Sequence, residues 1–295
     1  MIFEVINKIN LYKKIKWINS YLQPTPIKIK KGYRIFFGAR DQKGVSRPGF
    51  IDIKNFESNN IIHFSKKPLM DIGPAGCFDD NGIVPTFVFN NRQKIYMYYA
   101  GYQIPKKNKF LAFTGLALKR KDKFIRTSDT PYLDRQKKNY LFNVIHFVQK
   151  YKNKNYFYYG FGNSTVKNTP SYEIGLFIDN IRKNSSKTVI NLNKSKKEIR
   201  VGRPNIYKIK NNFYMFFCVA TPKSKFHIEY AVSKNLKNWK RKGKITLRGS
   251  MKFKKMYLKM QAYPYLIGDK KNIYMLFNGN DYGKDGILVS RLIKS

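Results

Sequence analysis

Five aromatic segments recur along this chain at a nearly constant interval, and that period limits the folds open to it. Tyr33, Tyr96, Tyr156, Tyr214 and Tyr274 are separated by 63, 60, 58 and 60 residues. Each lies in a short apolar run: GYRIFFGAR, KIYMYYAG, NYFYYGFG, NFYMFFCVA and NIYMLFNGN. Upstream of most of them lies another short segment containing Pro24, Pro85, Pro204 or Pro264, with NVIHFV at 143–148 as a copy without proline. A third segment follows most of them: TGLALK at 114–119, EIGLFI at 173–178, IEYAVS at 228–233 and GILVSR at 286–291. Runs rich in Tyr, Phe, Ile and Val between turn residues read as strands. A fixed period means units that bury their apolar faces against one another. Three or four strands in about 60 residues fit one propeller blade larger than a WD repeat. The expected fold is therefore all-β, a single-domain five-bladed β-propeller. Its blades fall at roughly 20–65, 79–130, 141–190, 200–245 and 258–295. The last blade shows three strands of its own, so the N-terminal segment 1–19, with its apolar MIFEVINKI, is expected to supply a fourth and close the ring. Closure removes strand edges that would otherwise pair with other chains.

Length agrees with one all-β ring, and no Pro/Gly/Ser linker divides the 295 residues. No run approaches the roughly 18–20 apolar residues of a membrane span. The N-terminus lacks the ordered regions of a signal peptide, which sets the expectation of a cytosolic protein, with peripheral contact at the inner membrane surface as an option. Cys77 and Cys218 lie in different blades without metal-ligand spacing, so two reduced thiols are expected, and neither a metal nor a cofactor. Against 59 Lys and Arg stand only 17 Asp and Glu, a formal charge of +42. Such a field attracts polyanions, anionic membrane or phosphorylated ligands. Lysine far exceeds arginine, and Asn, Ile, Tyr and Phe are abundant, as AT-rich coding also produces. Runs such as KKNK at 106–109, KRKDK at 119–123 and NKSKKEIR at 193–200 fall between strands and read as solvated loops or a contact face for a polyanion. No nucleic-acid-binding motif is present.

In a chain so poor in acids, adjacent carboxylates stand out. Asp79 and Asp80 precede the Asn81-Gly82 turn in CFDDNGIVP at 77–85. On a turn, both can face one site and serve as base, acid or sugar-hydroxyl acceptor; alternatively one caps the turn. Arg40, Asp41, Ser46 and Arg47 cluster around one loop, where two guanidinium forks suit phosphate or carboxylate, or pair with local acids. Arg203, before Pro204, opens the inner strand of the fourth blade. Tyr263 and Gln261 open that of the fifth. His146 lies between apolar residues, as a core side chain or in place of an acid. Asn278 and Asn280 flank Gly279, as sugar ligands or as a tight turn. Glu173 and Glu229 are the remaining candidate acids, on strands expected further out.

FDDNGIVP with YMYYAG, GRPNIY at 202–207 and YMLFNGNDYGKDG from 274, set in the 60-residue repeat, resemble the glycosidase-type five-bladed propeller superfamily over about residues 20–295. More narrowly they resemble relatives of glycoside hydrolase family 43 found among surface-polysaccharide synthesis genes. The resemblance implies a site at one end of the channel. It implies a catalytic Asp beside a Pro in blade one, a second Asp in blade two and a Glu in blade three. Here those positions hold Gln23, then Asp79 and Asp80, then Phe142 and Asn143. Hydrolysis ordinarily uses two carboxyl groups about 5–5.5 Å or 6.5–9.5 Å apart, and only one expected position is acidic. The expectation is an enzyme acting on a glycosidic bond in surface-glycan assembly, with glycosyl transfer from an activated sugar such as a nucleotide-sugar favoured. In that reading Asp79 or Asp80 activates the acceptor hydroxyl and Arg40, Arg47 and Arg203 hold the phosphates. Family 43-like hydrolysis, pairing Asp79 or Asp80 with Glu173 or Glu229, is one alternative. A non-catalytic propeller that binds glycan or polyanion is the other.

Overall fold

The computed structural model describes residues 1–11, 15–179, 186–268 and 272–295. An N-terminal strand β1 (Ile2–Ile9) precedes blade one: β2 (Ser20–Ile29), β3 (Gly32–Arg40), β4 (Ser46–Ile53) and β5 (Ile61–Phe64). Blade two is β6 (Ile83–Asn91), β7 (Lys94–Gln103), β8 (Leu111–Arg120) and β9 (Lys123–Arg126). Blade three is β10 (Phe142–Tyr151), β11 (Lys154–Val166), β12 (Thr169–Ile178) and β13 (Lys187–Ile190). Blade four is β14 (Arg200–Ile209), β15 (Asn212–Ala220), β16 (His227–Ser233) and β17 (Lys240–Lys244). After a short β18 (Thr246–Arg248) and a helix α1 (Met251–Tyr257) comes blade five, with β19 (Ala262–Gly268), β20 (Ile273–Asn278) and β21 (Ile287–Lys294). Strands within a blade run antiparallel. The chain is thus a five-bladed β-propeller, and its first strands β2, β6, β10, β14 and β19 touch one another in a closed circuit around the axis.

The N-terminal strand closes the ring. β1 pairs antiparallel with β21, Val5 opposite Ser290 and Ile9 opposite Ile287, and carries β18 in parallel on its outer side. Blade five therefore joins the two ends of the chain, as the missing fourth strand in its sequence requires.

The period-2 alternation of each strand feeds two inter-blade cores at once. On β20, Tyr274 and Leu276 pack towards blade one with Ile35, Phe37 and Ile51. Met275 and Phe277 face blade four with Phe216 and Ile228. On β15, Met215 and Phe217 instead join Leu176 of blade three and Val201 of their own blade. Both faces of a middle strand are thus buried, which is why these strands read as continuous aromatic runs rather than alternating ones. Two third strands carry glycine where an aromatic ring of the second strand lies flat on the backbone. A Cβ on Gly115 or Gly175 would run into the ring of Tyr99 or Tyr159.

Candidate functional site

Every first strand is interrupted at the same level. The ladder slips between Leu22 and Thr25, Pro85 and Phe87, Ile145 and Phe147, Gly202 and Asn205, and Ala262 and Tyr265. A bulge leaves a residue unpaired and redirects its side chain. Three of the bulged residues, Gln23, Arg203 and Tyr263, adopt left-handed backbone conformations, at φ 56°, 55° and 59°. Each directly precedes a proline, which further restricts its backbone. Non-glycine residues held this way cost about 1–3 kcal/mol each, so the surroundings must impose the conformation.

The clamps are visible. The Gln23 N–H donates to Asn278 Oδ1 at 2.8 Å, and Asn278 Nδ2 donates to the Tyr21 carbonyl at 2.6 Å. The Tyr263 N–H donates to Cys218 Sγ at 2.9 Å. Arg203 spans the channel, donating to the Thr86 carbonyl at 2.7 Å and to Thr25 Oγ1 at 2.8 Å. It thereby ties the first strand of blade four to those of blades two and one.

These bulges surround a cavity of about 430 Å³ at the mouth of the channel, within the usual range of ligand pockets. Gln23, Arg40, His146, Arg203 and Tyr263 all line it. Among the described residues, its cations are Arg40, Lys109, Arg200 and Arg203, and no Asp or Glu lines the wall. Tyr102, Phe142, Tyr172, Tyr263 and Tyr282 supply aromatic surface, with Phe142 stacked on Tyr172 at 4.3 Å between centroids. Burial raises the pKa of Tyr102, Tyr172 and Tyr263, so these phenols remain protonated donors.

Arg203 is 3% exposed and has no carboxylate partner among the described residues, its side-chain bonds going to Thr86 and Thr25. Burial brings its pKa down to about 10, which leaves it charged at neutral pH. His146, also buried, has no protein hydrogen-bond partner on either ring nitrogen. Burial first, and the charge of Arg203 second, hold its pKa well below 6.5, so the imidazole is neutral. Gln23 Oε1, Arg200 Nε and Arg203 Nε are likewise buried without a protein partner.

The remaining candidates lie elsewhere. Asp79 precedes β6 rather than lying on it and is fully buried beneath the pocket wall. Its Oδ2 accepts from Arg126 Nε at 2.8 Å and from the Tyr99 hydroxyl at 3.1 Å. Asp80 caps its turn, accepting from the Gly76 N–H and from Asn81 Nδ2. The expectation of a carboxylate facing the channel is therefore not met: this pair is spent on a local ion pair and a turn. Arg47 is bound by Asp71 at 2.6 Å and Asp41 at 3.3 Å, while Asp41 also accepts the Val45 N–H, so of that loop Arg40 and Ser46 reach the cavity. Asn278 clamps Gln23, and Asn280 accepts from the N–H groups of Lys259 and Met260, so neither presents its amide to the pocket. Glu173 accepts the Leu192 N–H at 2.7 Å.

Glu229 sits in a buried ion cluster of blade four. Arg241 donates to it at 2.7 Å and to both oxygens of Glu198, and His227 Nε2 lies 3.0 Å from its other oxygen. Burial pushes the Glu229 carboxyl up, but hydrogen bonds from His227 and Arg241 outweigh it and bring the pKa down to about 2. A folded-state value below the unfolded value of about 4.3 contributes stability that is complete above that value and fades as pH falls towards 2. Glu229→Gln is expected to be less stable at neutral pH and to lose less on acidification. Urea denaturation at pH 7 and pH 3.5 checks this, and an unchanged acid slope would contradict it.

Sequence reasoning missed Arg200, Tyr102, Tyr172, Tyr282 and Lys109. Arg200 carried a usable signal, since it precedes Arg203 by three residues at the start of the same first strand.

No protein-family model and no curated protein matches this sequence. Solved structures do match its fold. A thermostable family-43 glycoside hydrolase superimposes with a TM-score of 0.66 at 14% identity, over 94% of this chain and 90% of the other. An α-L-arabinofuranosidase from Lactobacillus brevis gives 0.70 at 10% identity, over 93% and 91%. An endo-arabinase from Bacteroides thetaiotaomicron gives 0.61 at 11% identity, over 94% and 95%. What the chain shares with these structures is their fold.

Proposed function

We propose that the protein is a carbohydrate-active enzyme whose channel-mouth pocket takes a sugar bearing an anionic group, and that it acts on the glycosidic bond beside that group. The observation that carries this reading is the set of buried polar atoms without protein partners on the pocket wall: Gln23 Oε1, both His146 nitrogens, Arg200 Nε and Arg203 Nε. Each such atom costs about 1–3 kcal/mol when left unpaired. An oxygen-rich anion accepts from Arg200 Nε, Arg203 Nε and the N–H of His146, sugar hydroxyls donate to Gln23 Oε1 and to the other His146 nitrogen, and the tyrosine and phenylalanine faces suit the ring of a sugar.

The likeness to family-43 structures favours hydrolysis, but a carboxylate pair has no place in this pocket. His146 is the group positioned for proton transfer. Its neutral imidazole accepts the proton of the attacking water or hydroxyl as the glycosidic C–O bond breaks, and the arginines carry the charge that grows on the departing oxygen. The imidazolium returns its proton to that oxygen where it leaves as an alcohol, or to solvent where it leaves as phosphate. With water as nucleophile the outcome is hydrolysis. With a sugar hydroxyl it is transfer from a sugar phosphate, a second reading favoured by the convergence of Arg40, Arg200 and Arg203 on the cavity. Action in the cytosol during surface-glycan assembly is the setting proposed for either.

The test is a thermal-shift screen at 150 mM salt with glucuronides, sugar phosphates, nucleotide-sugars and neutral glycosides, followed by NMR of the anomeric signals. Anionic sugars should stabilise the protein and turn over. Stabilisation by neutral glycosides alone would sink the proposal. His146→Gln is expected to keep binding and lose about 100-fold or more in turnover. Because burial holds the His146 pKa well below 6.5, the imidazole stays an unprotonated base as pH falls from 8 to 6.5. The rate should be flat over that interval, and a fall centred at 6.5 would exclude His146 as the base.

A further inference from the structure

A second cavity of about 270 Å³ adjoins the first and shares Lys109, Thr169, Arg200, Phe226 and Tyr282 with it. It runs outward over the rim between blades three and four. Its wall adds Lys167, Lys223 and Lys225 to the shared Lys109 and Arg200, and no Asp or Glu among the described residues lines it. Lys225 is paired with Asp281 at 3.3 Å, whereas Lys167 and Lys223 form no ion pair among the described residues. Arg200 lies over the Phe226 ring at 4.9 Å with its Nε unpaired, on the wall between the two cavities. These lysines converge on a concavity that shares its wall with the site.

We infer that the second cavity is a subsite for a further anionic group on the same ligand, so that the substrate is an oligosaccharide with repeated negative charges running from the channel mouth across the rim of blades three and four. This rests on the sugar-binding reading of the first pocket. The continuity of the cavities demands a chain rather than two separate ligands, and Arg200 contacts both segments. Carboxylate and phosphate offer the same chemistry here, as charged oxygens that accept from ammonium and guanidinium groups. Uniform attraction to any polyanion differs from this: it spreads over the surface and collapses with salt.

The experiment is calorimetric titration of the whole protein at 150 mM salt with galacturonate and tri-galacturonate, and in parallel with a hexose phosphate and its phosphodiester-linked trimer. The trimer of at least one series should bind roughly tenfold or more tightly than its monomer, the gain of one further charge-assisted contact. Whichever series shows that gain identifies the anion. In the Lys167→Gln/Lys223→Gln variant, the gain should shrink towards onefold. Lys28 and Lys30 are exposed at the opposite end of the first strands, by the β2–β3 turn, and Lys28→Gln/Lys30→Gln should keep the gain. Absence of a trimer gain in both series would overturn the second subsite, as would a gain untouched by the Lys167/Lys223 changes or lost equally in both variants. Failure of any monomer or trimer to bind would overturn the sugar-binding reading itself, and the two failures are thereby distinguished.

Discussion

Arg203→Met is expected to weaken binding of anionic sugars about 100-fold while leaving the melting temperature unchanged or raised. The guanidinium is buried without a carboxylate and shares its cavity with Arg40 and Arg200. An unpaired buried ion costs several kcal/mol in desolvation. Methionine fills similar space without that cost. The losses on the other side are two donated hydrogen bonds. Thr25 keeps its own donation to the Gln23 carbonyl at 3.2 Å, so the Thr86 carbonyl is the one group left short, at about 1–3 kcal/mol. Ligand binding should fall by about two orders of magnitude, since the unpaired Nε donor and the buried charge that it carries are removed together. Arg203→Lys keeps the charge but not the fork and should lie between. Titration and thermal melts of the three proteins decide the matter. A strongly destabilised Arg203→Met with binding intact would make Arg203 a structural strut across the channel.

The period of five aromatic strands was legible because each middle strand is buried on both faces, so nothing polar interrupts it. Ring closure was legible from the short count of strands in blade five. Within the site, the residues that sequence reasoning reached are chiefly those tied to a proline: Gln23, Arg203 and Tyr263. There the X-Pro step and the bulge coincide, and the backbone that strains the residue also aims it at the axis. The tyrosines of the wall were not legible, because Tyr102, Tyr172 and Tyr282 are three among 22 tyrosines and no local feature sets them apart. The acids misled for the opposite reason. In a chain with 17 of them every carboxylate looks significant, yet their partners are distant: Arg126 lies 47 positions from Asp79, and Arg241 lies 43 from Glu198. These carboxylates brace the interior of single blades, Asp79 in blade two and Glu198 with Glu229 in blade four, and the channel mouth is lined by cations.

Asp79→Ala is therefore expected to act on stability, costing about 3 kcal/mol, the range for removing one partner of a buried ion pair. Asp79 is fully buried, and its Oδ2 holds both Arg126 on β9 and Tyr99 on β7. Burial, with the Asp79 charge next, keeps the Tyr99 hydroxyl protonated, so it remains a donor to the carboxylate. Gly73 and Gly101 leave room for the side chain, since a Cβ on either would meet Asp79. Removing the carboxylate strands the Arg126 Nε, which is partly exposed and recovers some hydration. It also strands the Tyr99 hydroxyl, which is buried and recovers little. Asp80→Ala, by contrast, removes a partly exposed turn cap and should cost no more than about 1 kcal/mol. Urea denaturation of both variants measures the difference, and sugar turnover by the folded fraction should match the parent in both. A folded Asp79→Ala protein of normal stability that has lost turnover would return the carboxylate to the chemistry and remove His146 from its place as the proton acceptor.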